Sequence, residues 1–99
     1  MVYKLTNIGT FSKDFGHRDQ IQRASVSAMA NIAEGFDCES KVEFARFLGI
    51  ARRSTVEVQS LLYTAFDLAY ISEPQLKEHY EQARKTKALI GGFKRSLSK

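Results

Sequence analysis

The sequence predicts an all-α fold: an up-down-up-down four-helix bundle with a shortened first helix. Three observations lead there. Apolar residues recur at three- and four-residue spacing along most of the chain, the period that gathers side chains on one face of a helix. Helix-capping signals stand at Ser40 and Ser72, where two of these periodic stretches open. One Pro and six Gly in 99 residues leave little material for the tight turns of an all-β fold.

Residues 2–11 carry Val2, Leu5 and Ile8 at helical spacing, which predicts a short first helix. Gly9, the run Ser12, Lys13, Asp14, and Gly16 then mark a loop. The second helix is expected from about His17 to Phe36. Ile21, Ala24, Ala28 and Ile32 form one apolar face and Val26, Met29, Ala33 and Phe36 an adjoining one. So wide an arc predicts a helix surrounded by neighbours.

The third helix opens on a capping box, with Ser40 accepting from the Glu43 amide and the Glu43 side chain reaching back. It is expected to run to about Ile71, a rod of roughly 45 Å at ~1.5 Å per residue. Its main stripe is Phe44, Phe47, Ala51, Val58, Leu62, Ala65 and Ala69. Ser72 caps the fourth helix, with Glu73 and Pro74 in the first turn and Gln75 in the box position. Leu76, Tyr80, Ala83, Ile90, Phe93 and Leu97 form its buried stripe. The Gly91-Gly92 pair inside it is a weak point, costing roughly 1 kcal/mol per glycine relative to Ala. Short connections force consecutive helices antiparallel, giving one domain over residues 1–99.

Composition narrows the function classes. Apolar residues are 43% of the chain, which is globular. The single cysteine, Cys38, excludes an intramolecular disulfide and suits a reducing cytoplasm. The uncharged stretch 24–33 falls well short of the ~20 apolar residues that span a bilayer. The N-terminus lacks the basic start and apolar block of a signal peptide. A cytoplasmic protein is expected.

No catalytic constellation is visible. His17 and His79 have no ligand-spaced partners and read as surface histidines, and no Arg precedes His79 as in small helical ribonucleases. Cys38 has no partner base, and there is no Gly-rich phosphate loop. The expectation is therefore no enzyme, no metal and no cofactor.

Three polar or mixed patterns call for a role. Asn31 and Glu34 share a face of an otherwise apolar helix, and burying either is costly unless it is hydrogen-bonded. Asn31 is expected to fix helix pairing, and Glu34 to meet an Arg of the third helix or the amides near Ser40. After Glu81 there are no acids, while Arg84, Lys85, Lys87, Lys94, Arg95 and Lys99 follow. These cations fill about half the wheel of the fourth helix, and with a net charge of +4 they are the best signal for a phosphate backbone. No aromatic is interleaved among these cations on their face of the wheel, Phe93 lying opposite, so base stacking is not indicated. Finally, Arg52, Val56, Gln59, Tyr63, Phe66 and Tyr70 form a second seam on the third helix, which predicts an oligomer interface.

The run Asn31-Ile32-Ala33-Glu34-Gly35-Phe36, followed by Ser40, Glu43, Phe44, Arg46, Phe47, Leu48, Ile50 and Ala51, resembles a known family. It is similar to the four-helix bundle proteins encoded in 23S rRNA intervening sequences, with relatives among the accessory variability proteins of diversity-generating retroelements. Val2-Tyr3-Lys4-Leu5-Thr6, Phe15-Gly16, Gln20-Ile21, Arg23-Ala24 and Val26-Ser27 extend the likeness over nearly the whole chain. Met29 stands where the family usually has Pro, Ala30 where Ser is common, and Arg53-Ser54 where Gly-Ser is common. The family's first helix is also longer. The resemblance implies a homo-oligomer, typically a pentameric barrel with a positive surface, and no enzymatic activity. The retroelement relatives bind nucleic acid and a reverse transcriptase.

Shortening the first helix would expose the end where Phe36, Phe44, Phe47, Phe93 and Leu97 gather, so either a neighbouring subunit fills that gap or the true start lies upstream. The expected function is a non-enzymatic oligomeric bundle whose basic surface contacts RNA, DNA or a ribonucleoprotein. The alternative is a protein-interaction scaffold that binds no nucleic acid.

Overall fold

The computed structural model describes residues 14–97, and these form three helices: α1 (Phe15–Asp37), α2 (Lys41–Asp67) and α3 (Glu73–Leu97). There is no strand among the described residues. The all-α class is therefore observed, but as three helices rather than the four expected. The predicted first helix, residues 2–11, lies outside the described residues.

Each helix starts where a side chain satisfies its free amides. Asp14 Oδ1 accepts from the His17 amide at 3.0 Å and caps α1. Gly16, read as loop from sequence, is thus inside the first turn. Ser40 Oγ accepts from the Glu43 amide at 3.3 Å and caps α2. The reciprocal half of that box is replaced, because the Glu43 carboxylate accepts from Arg46 at 3.0 Å instead. The box at α3 is complete. Ser72 Oγ accepts from the Gln75 amide at 3.3 Å while Gln75 Oε1 accepts from the Ser72 amide at 2.8 Å.

Helix α2 ends at Asp67, four residues before the predicted stop at Ile71. The Ala69 amide donates to Phe66 O at 2.9 Å and the Tyr70 amide to Ala65 O at 2.8 Å. That is a Schellman turn, and its left-handed position is Ala69 at φ 61°. Ala69 is exposed there instead of continuing the core stripe. Tyr70 consequently leaves the α2 seam, and its hydroxyl donates to Asp14 Oδ2 at 2.7 Å. This bond and the His17 amide hold the Asp14 carboxyl below its ordinary range.

The 27-residue α2 is the shared element, packed against α1 on one side and α3 on the other. One core cluster joins Ile21 and Ala24 of α1 to Val58, Leu61, Leu62 and Ala65 of α2 and to Ile71 and Leu76. The other centres on Leu48, Ala51 and Ile90, with Ile32, Phe44, Phe93 and Leu97 packed around them. Burying each Leu or Ile contributes about 1.5–3 kcal/mol. The expected aromatic gathering is present: the Phe36 ring lies 5.2 Å from Phe44 and 5.1 Å, edge to face, from Phe93.

The Gly of the Asn-Ile-Ala-Glu-Gly run makes this possible. A β-carbon on Gly35 would come within 2.8 Å of Phe44 Cδ1, so only glycine lets α2 approach this closely. Helix α3 runs unbroken through Gly91-Gly92. A side chain at Gly91 would begin 3.3 Å from an Arg95 guanidinium nitrogen, so the small residue makes room for that cation.

Two sequence expectations about burial fail. The second apolar face of α1 is open, with Val26 48%, Met29 73% and Phe36 57% exposed. His79, read as a surface residue, is buried at 9% exposure, and its Nδ1 has no hydrogen-bond partner among the described residues. It sits between Leu76 and Ala83 on the inward stripe of α3, and burial lowers its pKa below 6.5 against the opposing charge of Glu78. His17 is half-buried, its Nε2 3.1 Å from the Leu61 carbonyl oxygen.

Candidate nucleic-acid interface

Antiparallel packing of α2 and α3 sets two sequence-distant patterns opposite each other. Arg52, Val56, Gln59, Tyr63 and Phe66 recur at four- and three-residue spacing along one flank of α2. Tyr80, Arg84, Lys87, Gly91, Lys94 and Arg95 follow a similar spacing on α3. The two flanks are the walls of one groove. Lys87 Nζ donates to Gln59 Oε1 at 3.3 Å where the walls meet, and the Tyr63 and Tyr80 rings meet edge to face at 5.2 Å.

Three stretches follow one another along this groove. At the end near the start of α2, Lys41, Val42 and Ala45 face Lys94, Arg95 and Leu97. In the middle, Arg52 faces Arg84, Lys87, Ala88, Gly91 and Arg95 around a cavity of about 330 Å³. At the far end, Tyr63 and Phe66 face Glu73, Leu76, Lys77, Tyr80 and Glu81 around about 580 Å³. Cations crowd the first two stretches and aromatic rings the third.

Of the predicted nucleic-acid residues, Arg84, Lys87, Lys94 and Arg95 are therefore brought together. Lys85 is exposed outside these stretches, and Lys99 lies outside the described residues. Sequence reading missed Lys41 and assigned Arg52 to a different task, because both belong to α2 and only packing sets them beside the α3 cations.

The charges are only lightly compensated. Arg84 forms a bidentate pair with Glu81 one turn back on its own helix, at 2.6 Å and 2.9 Å, which holds the Glu81 carboxyl below its usual range. Exposed pairs of this kind contribute only ~0.2–1 kcal/mol and open readily to a stronger anion. Arg52, Lys87 and Arg95 make no ion pair among the described residues. Lys87 is half-buried, with the neutral Gln59 amide as its acceptor. Lys94 extends toward α2, its Nζ 3.8 Å from where a side chain on Gly49 would begin.

The predicted oligomer seam is divided by the same geometry. Gln59 is buried against Lys87, and Tyr70 is turned away to Asp14. Arg52, Val56, Tyr63 and Phe66 remain exposed. Asn31, expected to fix helix pairing, bonds within α1, and the contact across to α2 is made by Ser27. Asn31 Nδ2 donates to Ser27 O at 2.8 Å and Ser27 Oγ at 3.2 Å, and Ser27 Oγ lies 2.8 Å from Ser54 Oγ of α2. Ser54, next to Arg53 at the departure from the family's Gly-Ser, is thus a buried rung of this ladder. Glu34 is exposed and makes no ion pair among the described residues, contrary to the Arg or helix-end contact expected for it.

Residues 1–92 match the 23S rRNA-intervening sequence protein family. The chain belongs to that family. Its fold is similar to the crystal structure of a protein of unknown function from the S23 ribosomal protein family of Bacteroides thetaiotaomicron. The TM-score is 0.85 at 25% identity, covering 94% of this chain and 84% of that one. A search of curated proteins gives no match. Among the described residues of this member of the 23S rRNA-intervening sequence family, no helix is long and apolar enough to cross a membrane. Nor does any cluster of three or more His, Cys, Asp or Glu converge there as a metal set.

Proposed function

We propose that this chain is a non-enzymatic helical module whose α2–α3 groove holds the phosphate backbone of a structured RNA, alone or within a ribonucleoprotein. The four-helix bundle expected from the sequence belongs to this reading. Copies assemble into a closed cytoplasmic homo-oligomer, five by the family resemblance. The supporting observation is the convergence of Arg52, Arg84, Lys87 and Arg95 on one groove where, among the described residues, Glu81 is the one carboxylate paired with them. A phosphate backbone rewards that arrangement by releasing counterions, and each contact steepens the salt dependence. Repetition around a ring multiplies the effect. Kinship with retroelement accessory variability proteins would add a reverse transcriptase as a protein partner.

The test is a titration of structured RNA and duplex DNA with the protein between about 50 and 200 mM salt, where several phosphate contacts lower affinity by orders of magnitude. Charge reversal at Arg84, Lys87 and Lys94 is expected to flatten the slope. Absence of binding, or binding indifferent to salt, would favour a protein-interaction scaffold. The open Val26, Met29 and Phe36 face of α1 favours that second reading.

A further inference from the structure

We infer that the far end of the groove is a pocket for an unpaired nucleobase, its walls Tyr63, Phe66 and Tyr80, beside the cations that hold the backbone. The inference rests on the proposed polyanion reading and adds a preference within it: RNA with a looped-out or single-stranded base over fully paired RNA.

The one aromatic within the cationic run of α3, Phe93, packs against the core, but tertiary packing supplies others from α2. Tyr63 is 51% exposed and Phe66 37%, so both offer ring surface to a ligand while Tyr80 backs Tyr63 edge to face. The cavity of about 580 Å³ is open and mostly apolar, in the range of small-ligand sites. Tyr80 lies one helical turn, ~6 Å, before Arg84, so a base in the pocket and its phosphate on Arg84 are within one nucleotide's reach.

The carboxylates at the pocket fit a base better than a phosphate. Glu73 is paired with Lys77 at 3.2 Å and Glu81 with Arg84, so neither is an isolated charge, yet both retain acceptor capacity for ring and exocyclic N–H donors. Phosphate is drawn to the neighbouring stretch, where Arg52, Lys87 and Arg95 make no ion pair among the described residues and only Arg84 shares a carboxylate, Glu81. The groove is thus polarised, backbone at one end and base at the other.

The experiment compares two RNA hairpins, one fully paired and one with a single bulged 2-aminopurine, binding the full chain. Quenching of the bulged fluorophore and about tenfold tighter binding than the paired hairpin are expected. Tyr63→Ala should abolish both the preference and the quenching with the salt slope unchanged, and Tyr63→Phe should retain them. Tyr63 is half-exposed, so matching thermal melts will certify the folded state of both variants. Equal binding of the two hairpins with a steep salt slope would overturn the pocket and leave the backbone reading standing. Loss of salt-dependent binding to either hairpin would remove both. If Tyr63→Ala instead reduces the size of the particle in solution, this wall is a contact between copies and the nucleobase assignment falls.

Discussion

Lys87 Nζ and Gln59 Oε1, 28 residues apart in sequence, meet at 3.3 Å and tie α3 to α2 at the middle of the groove. Gln59 is only 5% exposed, so its amide oxygen depends on that donor, and Lys87 lines the same stretch of the groove as Arg52 and Arg84.

Lys87→Met therefore has two expected consequences. Leaving a buried acceptor without its donor should destabilise the chain by about 1–3 kcal/mol in urea denaturation. The slope of log affinity against log salt should also fall by about one contact's worth. A stability loss with an unaltered slope would place Lys87 in the scaffold alone.

Gly35→Ala sets helix propensity against packing. The gain of about 1 kcal/mol from replacing glycine is opposed by a β-carbon 2.8 Å from the Phe44 ring. Overpacking of this kind costs about 1–3 kcal/mol, so net destabilisation and a shifted near-ultraviolet aromatic spectrum are expected. Gly35→Ala combined with Phe44→Leu should recover part of the loss.

Ala69→Gly should stabilise the protein. Ala69 holds φ 61° in the Schellman turn, where a β-carbon costs roughly 1–2 kcal/mol that glycine does not incur. A gain of about 1 kcal/mol in urea denaturation, with unchanged helix content, is the expected result; Ala69→Val should go the other way.

His79 predicts a pH dependence. Its folded-state pKa lies below the ordinary 6.5, because burial disfavours the charged ring. Above that value both states are neutral there and the residue adds no slope. As pH falls through 6.5 the unfolded chain takes up a proton that the folded chain resists, so stability declines until the folded pKa is passed. Denaturation midpoints measured from about pH 7.5 to about 5 should fall, and His79→Leu should flatten that part of the profile.

The starts of α2 and α3 were legible because capping chemistry is local. Ser40, Ser72 and Gln75 act on amides three residues away, and the sequence shows the whole device. The end of α2 was not, because Leu68, Ala69, Tyr70 and Ile71 continue an apolar rhythm and the turn is made by an alanine in glycine's place. His79 misled for a different reason. Its acidic neighbours Glu78 and Glu81 suggest water, but its spacing from Leu76 and Ala83 places it on the inward stripe, a signal that was present and outweighed. The groove was legible only as two unrelated halves. Arg52 and Tyr63 read as a self-contact and Arg84 to Arg95 as a cationic face, and no local rule shows that α2 lies across from α3 in the register that joins Gln59 to Lys87. The open arc of α1 marks a further limit, since apolar content reports an appetite for cover and not whether cover arrives.

Ser54 and Arg52 stand two residues apart on α2, about 200° around its axis, one clasping Ser27 and the other walling the groove. A stiff cylinder gripped on opposite flanks behaves as an axle. Whatever turns it against α1, such as a bulkier side chain in place of the Ser27 or Ser54 hydroxyl, swings Arg52 and Tyr63 through the same arc on the far side. The spacing between cation and ring is thereby governed from a seam that touches neither.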